Sequence, residues 1–222
     1  MNNLIQRIIT SSILLLIISI SLFFNKYIWL FFLIIVSFIL FIEFNNLTKK
    51  IWKKQKIILI KLNLFSLLFL VMLIYVSYDI YTSPPIELLF IILICIFSDT
   101  GGYVIGNLIG GRKLTKISPN KTISGSIGSF IFSLFPIVIY NSLYNFTNIS
   151  NFNPKINLEI ILVCLFLCLI CQLGDLFISY FKRKAKVNDT GSILPGHGGL
   201  LDRIDGVIFV LPVAYLIDKL FN

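Results

Sequence analysis

Apolar residues in this chain run in blocks of roughly twenty, the length an α-helix needs to cross the ~30 Å hydrocarbon core of a bilayer at about 1.5 Å per residue. A backbone in lipid must satisfy its own hydrogen bonds, so such blocks leave the helix as the available fold. Blocks at about 4–24, 27–44, 57–77, 85–109, 124–145, 158–181 and 200–220 predict an all-α, polytopic transmembrane helix bundle of about seven membrane helices with short loops. Composition agrees, since 57% hydrophobic and 13% charged residues with a mean hydropathy of +0.94 lie outside the range of soluble domains. No small-residue cleavage site follows the first block, where Phe23-Phe24-Asn25-Lys26 intervenes, so it reads as a membrane helix and not a cleaved signal. A single membrane domain over 1–222 is expected, with 1–80 as N-terminal helices and 85–222 carrying the chemistry.

The charge between the blocks is uneven. Arg7, the five lysines of Lys49–Lys56, the four cations of Arg112–Lys121 and the five of Lys182–Arg203 place fifteen of the 19 Lys and Arg on one side of a seven-helix topology. Lys26, Lys155 and Lys219 stand on the other, and Lys61 can snorkel from a helix end. The positive-inside rule then puts the N-terminus and the basic loops in the cytoplasm. The net charge of +9 is mostly this orientation signal, with attraction for anionic membrane lipids added. Lys49–Lys56 resembles a nucleic-acid patch in composition, but a short basic loop between membrane helices reads as a cytoplasmic anchor, and no nucleic-acid partner is expected. Asn145 and Asn148 match the glycosylation pattern, which is common by chance in an Asn-rich chain.

One segment is not explained by membrane insertion. Ser179–Asp205 packs charge, glycine and the sole histidine, His197, between two apolar runs. Asp175, Ser179, Lys182 and Lys186 fall at steps of four, three and four, so a continuing helix would line them on one face. Asp202 and Asp205, three apart, also share a face. Between them Pro195-Gly196-His197-Gly198-Gly199 predicts a tight loop whose bare backbone can approach an anion. Carboxylates, cations and a glycine loop together suit a phosphate chain carrying a hard divalent cation such as Mg2+. A plain cytoplasmic loop with acidic counter-ions would need neither that loop nor aspartates inside an apolar run.

These residues resemble the signature of the phosphatidate cytidylyltransferases, or CDP-diacylglycerol synthases. The pattern stands here as Ser179, Phe181, Lys182-Arg183, Asp189, Gly191, Leu194-Pro195, His197-Gly198-Gly199 and Asp202-Arg203-Ile204-Asp205. Asn188 occupies the place of a family lysine, for which Lys186 or Lys184 can substitute. A second block in the same order is similar to the family's Asp-Thr-Gly helix and Ser-Pro-Lys-Lys-Thr-like loop: Asp99-Thr100-Gly101, Lys113-Leu114 and Ile117-Ser118-Pro119-Asn120-Lys121-Thr122. Asp99, an ionisable group within an apolar run, is expected to face the site. Gly102, Gly106 and Gly110 form a stripe for close helix packing, and Ser124, Gly125, Ser126, Gly128 and Ser129 keep the next helix small.

The resemblance implies transfer of the cytidylyl group of CTP to phosphatidate, giving CDP-diacylglycerol and pyrophosphate, by a homodimer whose site faces the cytoplasm. It implies Mg2+, held by Asp175 and Asp202, with Asp205 a third candidate and Asp189 a supporting carboxylate; an additional monovalent cation is left open. Lys182, Arg183 and Arg203 would hold phosphates, with Ser118, Lys121 and Thr122 approaching from the other loop and Ser179, Gly198 and Gly199 lining the substrate. His197 would either donate to a phosphate oxygen or hold its loop together. Two other classes stay open: a CTP-dependent lipid kinase, and an ion or proton transporter using Asp99 and Asp175 as a relay. A CDP-alcohol phosphotransferase is disfavoured, because no Ala-Arg follows Asp205-Gly206. Cys95, Cys164, Cys168 and Cys171 lie in apolar runs with no histidine or carboxylate nearer than Asp175, and read as small buried hydrophobes.

Overall fold

The computed structural model of the chain describes residues 3–82, 85–147, 157–196 and 198–221. Among them are nine helices, no β-strand and two isolated antiparallel bridges. The helices are α1 (Asn3–Phe24), α2 (Lys26–Ile51), α3 (Lys56–Thr82), α4 (Pro85–Ile109), α5 (Ile123–Phe132), α6 (Phe135–Thr147), α7 (Leu158–Lys184), α8 (Leu201–Ile204) and α9 (Val207–Phe221). His197 and the loop residues 148–156, with the Asn148 glycosylation pattern, lie outside the described residues.

The all-α membrane architecture expected from the apolar blocks is present. Among the described residues five segments are long and apolar enough to cross a bilayer: Lys26–Ile51, Lys56–Thr82, Ile86–Ile109, Ile123–Ser142 and Leu158–Lys184. The chain is an integral membrane protein. Two expected helices are broken. The fifth divides at Ser133-Leu134, because Pro136 lacks the N–H that would bond back to Phe132, and it opens α6 instead. The seventh divides at Asp205-Gly206, and the 15 residues of α9 extend only about 22 Å, short of a full span. The second helix runs past its expected end at residue 44, since Glu43 to Ile51 contains no helix breaker and Lys49 and Lys50 suit its C-terminal dipole.

The chain divides into two compact units: residues up to Pro85 with Ile178–Asp205, and Ile86–Phe177 with Gly206–Asn222. In the first, α2 buries Trp29, Leu33, Ser37, Leu40, Glu43 and Leu47, a stripe at steps of four and three. Trp29 stacks on Tyr81 at 6.0 Å and its indole N–H donates to the Ser77 carbonyl. Outward, α3 exposes Ile57, Ile60, Leu64, Phe65 and Leu68, apolar surface suited to lipid.

The second unit is built on close contact between α4 and α5. A Cβ on Gly101 would stand 2.6 Å from the Gly128 carbonyl oxygen, one on Gly125 2.7 Å from that of Gly102, and one on Gly128 2.5 Å from Ile105 Cβ. The small residues at these positions do what the spacing predicts. Gly110 departs from the stripe: an added Cβ there would meet nothing within 4 Å, and its φ of 65° marks chain reversal after α4. All four cysteines are buried and none is in a disulfide, and Cys168 Sγ lies 3.3 Å from Ser98 Oγ.

Candidate active site

The first unit carries the loop that follows α7. That helix ends in a Schellman turn, with the Val187 N–H donating to the Lys182 carbonyl at 3.0 Å, the Lys186 N–H to that of Arg183 at 3.1 Å, and Lys186 at a left-handed φ of 56°. The expected face of Asp175, Ser179, Lys182 and Lys186 therefore loses its last member, because Lys186 lies beyond the helix. Lys184 is turned to aromatic rings, 4.6 Å from the Trp52 centroid and 5.7 Å from that of Tyr180.

Beyond the turn the chain forms a cradle around two carboxylates. Asp202, in α8, takes the Lys182 ammonium on Oδ1 at 2.8 Å, and on Oδ2 the N–H groups of Thr190 at 2.8 Å and Gly199 at 3.0 Å. The pair is well shielded, with side-chain exposures of 14% for Lys182 and 6% for Asp202. Burial alone would raise the Asp202 pKa; the Lys182 hydrogen bond and charge with the two amides outweigh it and hold the carboxyl below its usual range. Asp202 is thus kept ionised.

The second carboxylate is Glu43 of α2, 2% exposed. Its Oε1 accepts the Leu200 N–H at 2.9 Å, and its Oε2 accepts the Leu201 N–H at 2.8 Å. The Thr190 hydroxyl lies between the two acids, 2.9 Å from Glu43 Oε2 and 3.0 Å from Asp202 Oδ2, and with one proton it donates to one at a time. Glycines make room: a Cβ on Gly191 would stand 2.7 Å from Glu43 Oε1, and one on Gly199 2.5 Å from Glu43 Oε2 and against Thr190 Oγ1.

Leu194 and Gly198 exchange two backbone hydrogen bonds, of 2.9 and 3.1 Å, closing the loop that the Pro-Gly pattern predicts. Gly196 and Gly198 there take φ of 76° and 88°, values that suit glycine. A cavity of about 380 Å³ opens beside the loop, lined by Asp189, Gly191, Ser192, Leu194, Pro195, Gly196, Gly198 and Arg203. Asp205 caps α8 and is buried, as is Ser179. Arg183 is exposed, with Nη1 3.5 Å from Asn188 Oδ1, long for a hydrogen bond.

The second unit holds the other predicted residues. Leu114 and Ile123 donate their N–H groups to the carbonyls of Lys121 and Arg112, pinching residues 112–123 into a hairpin. Lys121 at its end forms an ion pair with Asp175 of α7, so a cation of the second signature block meets one of the expected carboxylates. Thr122 is the N-cap of α5, its hydroxyl accepting the Gly125 N–H at 3.0 Å, which gives that side chain a structural task. Ser118 turns the hairpin, its N–H reaching Thr115 Oγ1 at 3.2 Å. Asp99 is exposed on α4, next to the buried Ser98.

Among the described residues no three His, Cys, Asp or Glu side chains gather as a metal cluster. Asp175 and Asp202 each bind a lysine ammonium, and hard carboxylate oxygens that accept one cation suit Mg2+ in chemistry.

The profile of the Cytidylyltransferase family matches residues 80–221. The chain belongs to that family. It is similar to the phosphatidate cytidylyltransferases of Staphylococcus aureus (strain COL), 48% identical over 132 residues, and of Staphylococcus haemolyticus, 46% identical over 132 residues; each alignment covers 59% of this chain and 48% of the relative. The enzyme of that name from Bacillus subtilis is 40% identical over 126 residues, 56% of this chain and 44% of the relative. The chain spans about half the length of the curated relatives it matches. Neither Glu43 nor Thr190 stands out by motif or spacing in the sequence. Glu43 lies outside the family match and is the sole acidic residue before Asp79. Its place on the buried α2 stripe, three residues after Leu40 and four before Leu47, was the signal that could have found it.

Proposed function

We propose that the chain transfers the cytidylyl group of CTP to phosphatidate at the membrane surface, forming CDP-diacylglycerol and pyrophosphate. A phosphate oxygen of phosphatidate attacks the α-phosphorus of CTP; that O–P bond forms as the bond to the β-phosphate oxygen breaks, and the electron pair leaves with pyrophosphate. No protein nucleophile is required. Both reactants are anions, so the protein acts by orienting them and neutralising the leaving group.

The observation that carries this reading is the cradle of the family-matched loop: an ionised, nearly buried Asp202 fixed by Lys182 and two amides, beside a glycine-lined cavity bearing Arg203. In it Lys182 and Arg203 draw phosphate charge, joined by Arg183, and Gly196 and Gly198 let the backbone come close to an anion. Lys121, in the other unit, is a further candidate cation for phosphate. Asp202 here, and Asp175 in the other unit, are each candidate carboxylate ligands for Mg2+, which when bound would offset phosphate charge. A cytoplasmic orientation and a homodimer belong to the same proposal.

The test is direct. Purified protein with Mg2+, phosphatidate and each of the four nucleoside triphosphates should yield a lipid nucleotide with CTP, identified by mass, and α-labelled CTP should leave its label in that lipid. Label arriving only from the γ-position would replace the reading with a lipid kinase, and proton flux in nucleotide-free liposomes without any lipid product would replace it with a transporter.

A further inference from the structure

Glu43 belongs to the N-terminal helices, outside the family-matched residues, yet its carboxylate accepts hydrogen bonds from the signature loop. Both oxygens are used: Oε1 by the Leu200 N–H, Oε2 by the Leu201 N–H and within reach of the Thr190 hydroxyl. Leu200 and Leu201 immediately precede Asp202, and Thr190 gives Asp202 its N–H. Two of the three groups that touch Glu43 thus adjoin Asp202 in sequence, and the third bonds to it.

Burial decides what the contact is worth. A carboxylate 2% exposed in a membrane helix is costly unless its lone pairs are met, and here the loop meets them. The loop is equally fitted to the acid, since side chains at Gly191 or Gly199 would strike its oxygens. Each partner fixes the other.

We propose that Glu43 is a positioning residue for the transfer reaction, anchoring the Thr190–Leu201 loop to α2 and so setting the orientation of Asp202 and of the Lys182 ammonium that it holds. It does not touch the reacting atoms. The kinetic part rests on the proposed cytidylyl transfer, whereas the anchoring can be measured without it.

The experiment uses the full chain in detergent with phosphatidate-containing micelles. Hydrogen exchange at the Leu200 and Leu201 amides and steady-state kinetics are followed in Glu43→Ala, Glu43→Gln, Thr190→Val and Thr190→Ser. Glu43→Ala should expose both amides to faster exchange while α7 keeps its protection, and should lower kcat about 10- to 100-fold, the range for groups that orient ligands, with KM for CTP moved less than threefold. Glu43→Gln, nearly isosteric, removes one acceptor oxygen; it should speed exchange at the Leu201 amide and lower kcat about tenfold within the same range. It decides the matter if Glu43→Ala fails to fold. Thr190→Ser should restore what Thr190→Val loses. Unchanged exchange at both amides in Glu43→Gln overturns the anchoring, and unchanged kcat with faster exchange overturns the positioning. A wild-type chain that makes no CDP-diacylglycerol would defeat the proposed reaction instead, leaving the exchange result to judge the anchor.

Discussion

The two units use glycine for opposite purposes. In the second, Gly101, Gly102, Gly125 and Gly128 let two apolar helices touch, and the atoms an added Cβ would meet belong to backbone and to the side chains of Ile105, Thr122, Ser129 and Phe132. In the first, the atoms crowding Gly191, Gly198 and Gly199 are the side chains of Glu43 and Asp189, the hydroxyl of Thr190 and one backbone nitrogen, that of Gly191. One set packs a membrane core; the other builds a polar cradle. Their lysine–carboxylate pairs differ in the same sense. Lys121 and Asp175 retain side-chain exposures of 29% and 23%, against 14% and 6% for Lys182 and Asp202. Screening by water weakens the first pair, while the second works in a drier setting that two amides also support. A close glycine is therefore no evidence of a site until its neighbours are known.

Breaking the drier pair should have the largest effect. Asp202→Asn keeps the size of the side chain but removes the charge facing Lys182 and turns an amide N–H2 toward one set of donors. CDP-diacylglycerol formation should fall by about 10²- to 10³-fold, the scale for removing a preorganised electrostatic group, with membrane insertion unchanged. Near-normal turnover would remove Asp202 from the mechanism. The glycines sharpen the contrast at the next level. Gly199→Ala drives a methyl group into Thr190 Oγ1 and Glu43 Oε2, so kcat should drop about 10- to 100-fold. Gly128→Ala meets Ile105 and the Gly101 carbonyl and should cost about 1–3 kcal/mol of stability, as overpacking does. The assay is kcat at a temperature where both variants are folded, set beside thermal unfolding. If Gly128→Ala loses turnover as heavily as Gly199→Ala without losing stability, the division of labour is wrong.

Hydropathy alone made the membrane helices legible, because each apolar block must bond its own backbone. Where the expectation failed, local chemistry overrode hydropathy: Pro136 cut the fifth helix, Gly206 stands where the seventh divides, and the run after Phe44 continued because nothing stops it. The loop residues Lys182, Asp202 and the glycines were legible by type and spacing, and Lys182 and Asp202 do meet. What the spacing could not give was Glu43, 147 residues before its partner Thr190 and within a helix whose neighbours are apolar. A long-range hydrogen bond leaves no local pattern. The rule that flagged Asp99, an acid within an apolar run, applies to Glu43 with equal force, and burial separates them: Asp99 is exposed and Glu43 is not.

The smallest expected effect concerns Lys186, for which sequence and geometry give different tasks. By resemblance it is a candidate to replace the family lysine absent at Asn188; by geometry it occupies the left-handed residue of a Schellman turn, exposed, at φ 56°. An L-residue there costs about 1–2 kcal/mol that glycine avoids, partly offset because glycine loses more backbone freedom on folding. Lys186→Gly should therefore raise the unfolding temperature by about 1–4 °C in a chain of this size. If the residue only ends α7, kcat should stay within twofold. The loop it launches would keep its start, and Lys182, one turn earlier, would keep Asp202. A tenfold or greater fall in kcat with the temperature still raised would mean that the ammonium reaches substrate phosphate. The cradle would then reach back to the turn that ends α7, and the contrast between a built site and a packed core would begin at Lys186.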